Sequence, residues 1–259
     1  MEKSNPLSAS LISTLMQVAI LTVFLLADIP EIDWFAITLF AISGAFALGL
    51  GRLLNFMSIE NIGDAITSSV VGINPLITSF LAILFLGEQA LFSTFLGAIL
   101  VAAGIFLLNG LEGKSFKKRF LIVPFLSALF YAFANVIRKI GLNVQSEPLL
   151  GAQVGAAAGT ISFLLYLIAS GKIGMLRVTA KSFGYYFMAG VSSSLGWIAM
   201  MYALQTGNVS IATTIVFSYP LFSLILSWLF LRGREILSWR TILGCIIIVM
   251  GVIVVTLFK

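Results

Sequence analysis

One arginine, Arg52, stands inside an apolar run that extends from Trp34 to Ile59. On a helix, Asn55 lies on the same face three residues later, with Gly44 and Ala45 further along it. At 1.5 Å per residue, Arg52 lies roughly 10–12 Å from the end of the run. If the run crosses a membrane, a charge at that depth costs about 2.5–3.5 kcal/mol even on the most forgiving insertion scale. A guanidinium kept at that cost presents a fixed fork of donors suited to a carboxylate or phosphate. The bland reading is an arginine that snorkels to the interface or pairs with Glu60 or Asp64. A second constellation is Tyr131, Asn135 and Arg138, whose i, i+4, i+7 spacing lines a ring, an amide and a guanidinium along one stripe. That stripe suits the same anionic groups, although Arg138 and Lys139 also read as headgroup anchors near a helix end.

Two prolines, Pro75 and Pro220, fall in the middle of apolar runs, beside Asn74 and Tyr219. A proline there frees a backbone carbonyl, which a membrane tolerates only where protein or a water-filled cavity satisfies it. The alternative is a pair of kinks used for packing. Ser218, Thr213 and Thr214 could add hydroxyls, or simply bond between helices. Trp197 and Tyr202 line the same cavity or else face lipid. Glu88 and Glu235 are expected at helix starts, where a carboxylate suits the positive dipole end. We read those two as structural.

What is missing narrows the chemistry. The chain has no histidine, which removes the usual general base and proton relay. Its single cysteine, Cys245, excludes an internal disulfide and, without histidine, leaves no zinc or haem site on the usual ligands. No metal site and no cofactor are expected. An intramembrane serine protease lacks its Ser–His pair, and Gly63–Asp64 is a lone aspartyl motif without a partner.

The elements that position these residues follow from composition. Of 259 residues, 60% are hydrophobic and 10% charged, against roughly 25% charged in an average soluble domain. The solvent for so much apolar surface must be a bilayer. Spanning the hydrocarbon takes about 20 apolar residues, and nine runs reach that length: Leu7–Ala27, Trp34–Ile59, Asp64–Leu86, Phe92–Asn109, Phe120–Leu142, Leu149–Ser170, Phe183–Gln205, Val209–Leu231 and Trp239–Phe258. The first run is longer than a signal-peptide core and reads as a span. The predicted fold is therefore an all-α integral membrane protein of about nine transmembrane helices, with no separate soluble domain. The net charge of +5 reads as a set of topology signals rather than a nucleic-acid surface.

The sequence also repeats. A shift of 145 residues overlays Gly51 on Gly196, Ile66 on Ile211, Pro75 on Pro220 and "LFL" at Leu84–Leu86 on "LFL" at Leu229–Leu231. After two inserted residues the shift becomes 147, and overlays Glu88 on Glu235, Gly97 on Gly244 and Gly104 on Gly251. Residues 1–111 form the first copy with four helices, and 112–259 the second with five. A full five-helix copy is odd in helix number, so its partner must be inverted, as in many secondary transporters.

These residues resemble the drug/metabolite transporter superfamily, in particular its EamA-type members, which have two five-helix repeats. The matching features are "LGE" (Leu86–Glu88) with "REILS" (Arg234–Ser238), the central Pro75 and Pro220, and the glycines of each last helix. "FYAFANVIRK" (Phe130–Lys139) is similar to the aromatic-Asn-basic first helix of a family repeat. The chain departs from the pattern in lacking the first helix of the first copy, as expected of a truncated or late-started chain or a nine-helix variant. The resemblance implies a secondary transporter of a small organic metabolite and no enzyme activity. We expect export or exchange by alternating access around a midplane cavity between the repeats. The partners expected are a solute, anionic or zwitterionic if Arg52 contacts it, and the lipid bilayer, with the chain a monomer or homodimer. A non-transporting membrane scaffold is the remaining alternative, and it lacks a loop large enough to present a partner surface.

Charge bias sets an expected orientation in the plasma membrane. Eleven Lys and Arg, including Lys3, the Lys114–Arg119 loop, Lys172 and Arg240, fall on one side, and Arg138, Lys139 and Lys259 on the other. This places Met1 in the cytoplasm, opposite to what the family pattern implies for a chain without its first helix.

Overall fold

A backbone in hydrocarbon must satisfy its own polar groups, and the helix does so within one segment. A computed structural model describes residues 6–27, 29–89, 91–109, 118–176, 180–230 and 239–257, and among these there are helices and turns but no strand. Met1, Lys3, Lys114, Lys117, Arg177, Arg232, Arg234–Ser238 and Lys259 lie outside the described residues.

The helices are α1 (Pro6–Ala27), α2 (Trp34–Gly44), α3 (Arg52–Ile62), α4 (Asp64–Val71), α5 (Asn74–Leu86) and α6 (Phe92–Asn109). They continue with α7 (Ile122–Val144), α8 (Pro148–Ala169), α9 (Ala180–Thr206), α10 (Val209–Val216), α11 (Tyr219–Phe230) and α12 (Trp239–Leu257). Among the described residues, seven segments taken as continuous spans are long and apolar enough to cross a membrane, and Phe92–Leu108 and Val209–Ser223 are shorter apolar helices. The second span runs Trp34–Ile62, three residues beyond the expected end. Arg52 is therefore about 15 Å from that end, further along the helix than expected.

Two local features interrupt the spans. Between α2 and α3 the chain winds as a π-helical turn, Ala45–Gly51. Such a turn breaks the regular hydrogen-bond ladder and leaves carbonyls in need of other donors. Ser127 Oγ on α7 meets this need by donating to Gly51 O at 2.8 Å. The second feature is a break at each proline. The α4 helix ends at Val71, and α5 begins at Asn74 with Pro75 in its first turn. Likewise α10 ends at Val216 and α11 begins at Tyr219. The prolines thus sit in the first turn of the following helix, where a missing N–H costs nothing, rather than in the middle of a helix. The breaks share one bonding pattern. Gly72 N donates to Ser68 O, Ile73 N to Val70 O and Leu76 N to Ile73 O; Phe217 N donates to Thr213 O, Ser218 N to Ile215 O and Leu221 N to Ser218 O.

The chain forms two compact units. Unit 1 holds residues 1–50 and 137–206, and unit 2 holds 51–136 and 207–259. Each unit draws on both halves of the sequence.

In unit 1, α1 packs on α8 and α9, and α2 packs on α8. The α2–α8 contact depends on Gly44, since a Cβ there would overlap the backbone of Gly155. Phe40, fully buried, fills the space beside Gly141 and Gly151. Asp33 caps α2 by accepting from Phe35 N at 2.8 Å and Ala36 N at 2.9 Å.

In unit 2, α6 and α12 make the most extensive helix pair, and it is antiparallel. A Cβ on Gly97 would lie 2.7 Å from Gly251 O, and one on Gly251 would lie 2.7 Å from Gly97 O. Gly104 and Gly244 meet the same way, at 2.7 and 2.9 Å. Small residues permit such close backbone approach, which drives association where no hydrophobic effect operates. Val101, Ile105 and Ile248 form a buried cluster in this unit, with Phe217, Leu221 and Val252 against it.

Candidate functional site

The sequence candidates divide between the two units. In unit 2, α3 carries Arg52 and Asn55, both partly buried. The Arg52 guanidinium lies within electrostatic reach of the Tyr131 phenol on α7. Tyr131 in turn shares a hydrogen bond with the Ser127 side chain and lies within reach of Tyr219. Since Ser127 donates to Gly51 O, a continuous line runs from the π turn through Ser127 to Tyr131. The extra carbonyl of the π turn and the phenol beside the arginine are thus held by one hydroxyl. Tyr219, at the start of α11, is 53% exposed and stacks edge-on against Phe217 with ring centroids 6.2 Å apart. Asp64, at the start of α4, lies within electrostatic reach of Tyr219.

Other candidates in this unit have structural partners. Asn74 is fully buried; its Nδ2 donates to Ala128 O at 2.8 Å, and its Oδ1 accepts from Thr78 at 3.3 Å. This ties the break before α5 to α7. Ser218 Oγ donates to Ile215 O at 2.7 Å inside the second break. Thr213 and Thr214 bond back to carbonyls of their own helix. Asn135 is buried on the Tyr131 face of α7.

In unit 1, Arg138 is 2% exposed, and its guanidinium carbon lies 4.3 Å from the centre of the Trp197 ring. A guanidinium over an indole is the strongest side-chain cation–π geometry, worth about 2 kcal/mol or more when desolvated. Its neighbour Lys139 is partly buried against the end of α9. The ammonium donates to Leu204 O at 2.6 Å and Gln205 O at 3.3 Å, closing the last turn of α9. Tyr202 is 52% exposed. The α7 stripe thus contributes Tyr131 and Asn135 to unit 2 and Arg138 to unit 1.

Glu88 was expected at the start of its own helix and is found elsewhere. It sits in the loop between α5 and α6, after Gly87 turns the chain with φ of +67°. From there its carboxylate accepts from Val209 N at 2.5 Å, Ser210 N at 3.3 Å and Ser210 Oγ at 2.5 Å. It therefore caps α10, whose own N-cap residue Asn208 makes no side-chain bond. The sequence carries no local signal of this partner, 121 residues away. Glu235 lies outside the described residues. Among the described residues, no group of three or more His, Cys, Asp or Glu could hold a metal.

Membrane-length helices, glycine-packed pairs and two broken helices define a polytopic α-helical membrane protein of the transporter kind. Residues 1–110 and 119–257 match the EamA-like transporter family, and the chain belongs to that family. It is 24% identical over 249 residues to the uncharacterized transporter YdfC of Bacillus subtilis (strain 168), covering 92% of this chain and 76% of that protein. A shorter stretch of 50 residues is 42% identical to solute carrier family 35 member G1 of Mus musculus, covering 19% of this chain and 14% of that protein. A solved crystal structure superposes with a TM-score of 0.78 at 17% identity, over 98% of this chain and 90% of that one, a likeness of fold alone. The protein is a multi-pass membrane transporter, and the names of its family and relatives are those of transporters rather than enzymes.

Proposed function

We propose that this transporter moves a small organic anion or zwitterion by alternating access, as an exporter or exchanger of the plasma membrane with Met1 cytoplasmic. The observation that supports this most is the Arg52–Tyr131–Tyr219 cluster of unit 2, which shares that unit with both broken helices. A guanidinium beside one phenol, with a second phenol within reach of the first, gives one fixed positive charge and two neutral hydroxyl groups. In a low dielectric that charge attracts carboxylate or phosphate and repels cations. Asn55 and Asn135 supply further amides on the same unit, while Asn74 and Ser218 hold the two breaks in place; Arg138, Trp197 and Tyr202 are the corresponding candidates on unit 1. Pro75 and Pro220 mark the helix breaks around which a midplane site is built in inverted-repeat transporters.

The energy source is an exchange or a solute gradient. No phosphate-binding loop occurs in the sequence. Carboxylates suited to proton coupling are confined to Glu60 and Asp64, near helix ends. The test is flux into liposomes across a panel of amino acids, sugar phosphates, nucleotide derivatives, neutral polyols and organic cations. Saturable flux of anionic or zwitterionic solutes without ATP is the expected result. Flux of cations alone, or of no solute in a panel that stabilises the protein thermally, would overturn the reading.

A further inference from the structure

The described helices differ in how fully their buried polar groups are paired. Among the described residues, Ser10, Gln17, Gln153, Tyr186 and Trp197 each bury a side-chain nitrogen or oxygen with no hydrogen-bond partner in the protein. All five belong to unit 1. Three of them lie on one packed helix pair, α1 and α9. Ser10 and Gln17 on α1 are 4% and 3% exposed, and Tyr186 on α9 is 7% exposed.

The geometry of that pair is given by Gly190. A Cβ there would lie 2.6 Å from Met16 Cβ, 3.1 Å from Ser13 O and 3.7 Å from Gln17 N. The two helices therefore cross closely at Ser13–Gln17. Tyr186 is one turn from Gly190 on the same face of α9, and its hydroxyl is buried. Other hydroxyls along the seam spend their protons on their own helices: Ser13 on Ser10 O, Thr14 on Ser10 O and Leu11 O, and Ser194 on Gly190 O. None of those protons is left for the Tyr186 oxygen or for Ser10 Oγ.

A bare amide or hydroxyl inside hydrocarbon costs several kcal/mol. Three of them in one seam is a cost that a folded membrane protein escapes by hydrating them. We propose that the α1–α9 seam is a water-binding site, in which buried waters hydrate Gln17 Nε2, Tyr186 Oη and Ser10 Oγ. Several features select water over a solute. The groups are uncharged and mix donors with acceptors, as a water with two to four partners requires. The close crossing at Gly190 sets backbone against backbone, so a larger guest would have to part the two helices. At about one buried water per 27 residues, a unit of this size commonly holds about four.

Radiolytic hydroxyl-radical labelling with mass spectrometry tests this, because radicals form in place from bound water. The protein in lipid nanodiscs is irradiated, and Tyr186 is compared with Phe163 and Met201, which are 2% and 0% exposed. After correction for intrinsic reactivity, Tyr186 should label several-fold faster than both. Gln17→Leu should lower that labelling and leave the melting temperature unchanged or reduced, since the amide it removes was already hydrated. Ser10→Ala serves as a second variant if Gln17→Leu does not insert. Tyr186 labelling no faster than Phe163, or a melting temperature raised by Gln17→Leu, would mean a dry seam and overturn the proposal.

Discussion

Removing the Glu88 carboxylate should loosen the start of α10 by an amount that can be worked out from its contacts. The group accepts two bonds of 2.5 Å, from Val209 N and Ser210 Oγ, and a long one of 3.3 Å from Ser210 N. Bonds to a charged acceptor are worth about 1.5–3 kcal/mol each. Glu88 is only partly buried, so water replaces some of what is lost, and substituting an ordinary N-cap costs about 0.5–2 kcal/mol. The long bond adds little. We expect Glu88→Ala to cost about 2 kcal/mol, near the upper end of that range because Asn208 supplies no substitute cap. For a chain of this length, 1 kcal/mol shifts the melting temperature by about 2–4 °C, giving a drop of about 4–8 °C. Glu88→Gln keeps one acceptor and should fall between. The single cysteine, Cys245, makes the assay simple, because a thiol-reactive dye reports unfolding through one site. A Glu88→Ala protein that melts within a degree of wild type would show that water caps α10 equally well.

Gly251→Ala should destabilise the α6–α12 pair by about 1–3 kcal/mol in the same melt, because its Cβ would press on the Gly97 carbonyl, which is backbone and cannot rotate away; an unchanged melt would refute the close approach. Ser127→Ala leaves Gly51 O without its donor and should cost about 1–3 kcal/mol, with a weaker substrate affinity in flux assays as Tyr131 loses its anchor. Full affinity in Ser127→Ala would detach the π turn from the site. Orientation is checked by single cysteines placed beside Met1 and Lys259 in a Cys245→Ser background: an impermeant reagent added outside should label the Lys259 site and spare the Met1 site, and the reverse pattern would show that the charge bias misleads.

The spans were legible because hydrocarbon thickness sets a minimum apolar length, and most helices begin or end within three residues of their expected limits. The helix breaks were legible as prolines, but not their form. A sequence shows that the N–H is missing and not which turn absorbs it; the chain places each break two to three residues earlier, so that Pro75 and Pro220 start new helices. The π turn at Ala45–Gly51 had a faint signal in Gly44, Gly49 and Gly51, hidden by the apolar residues between them. Arg52 and Tyr131 were each singled out, yet their meeting across α3 and α7 was invisible to periodicity, which reads one helix at a time. The same limit concealed Arg138 on Trp197, Lys139 closing α9, and Glu88 capping α10. In each case the partner lies more than 50 residues away, and no local pattern encodes it. The interleaving of the two halves into compact units was hidden for the same reason.

The most direct test of a site built on Arg52 is solute flux by Arg52→Leu in liposomes, at matched protein density and against the solutes the wild type moves. The substitution removes a half-buried charge from the middle of a span, so insertion and folding should be kept or improved. Transport of anionic and zwitterionic solutes should be lost or redirected toward neutral ones. Flux at the wild-type rate and affinity would contradict the account and reduce Arg52 to an anchor of the α3 helix.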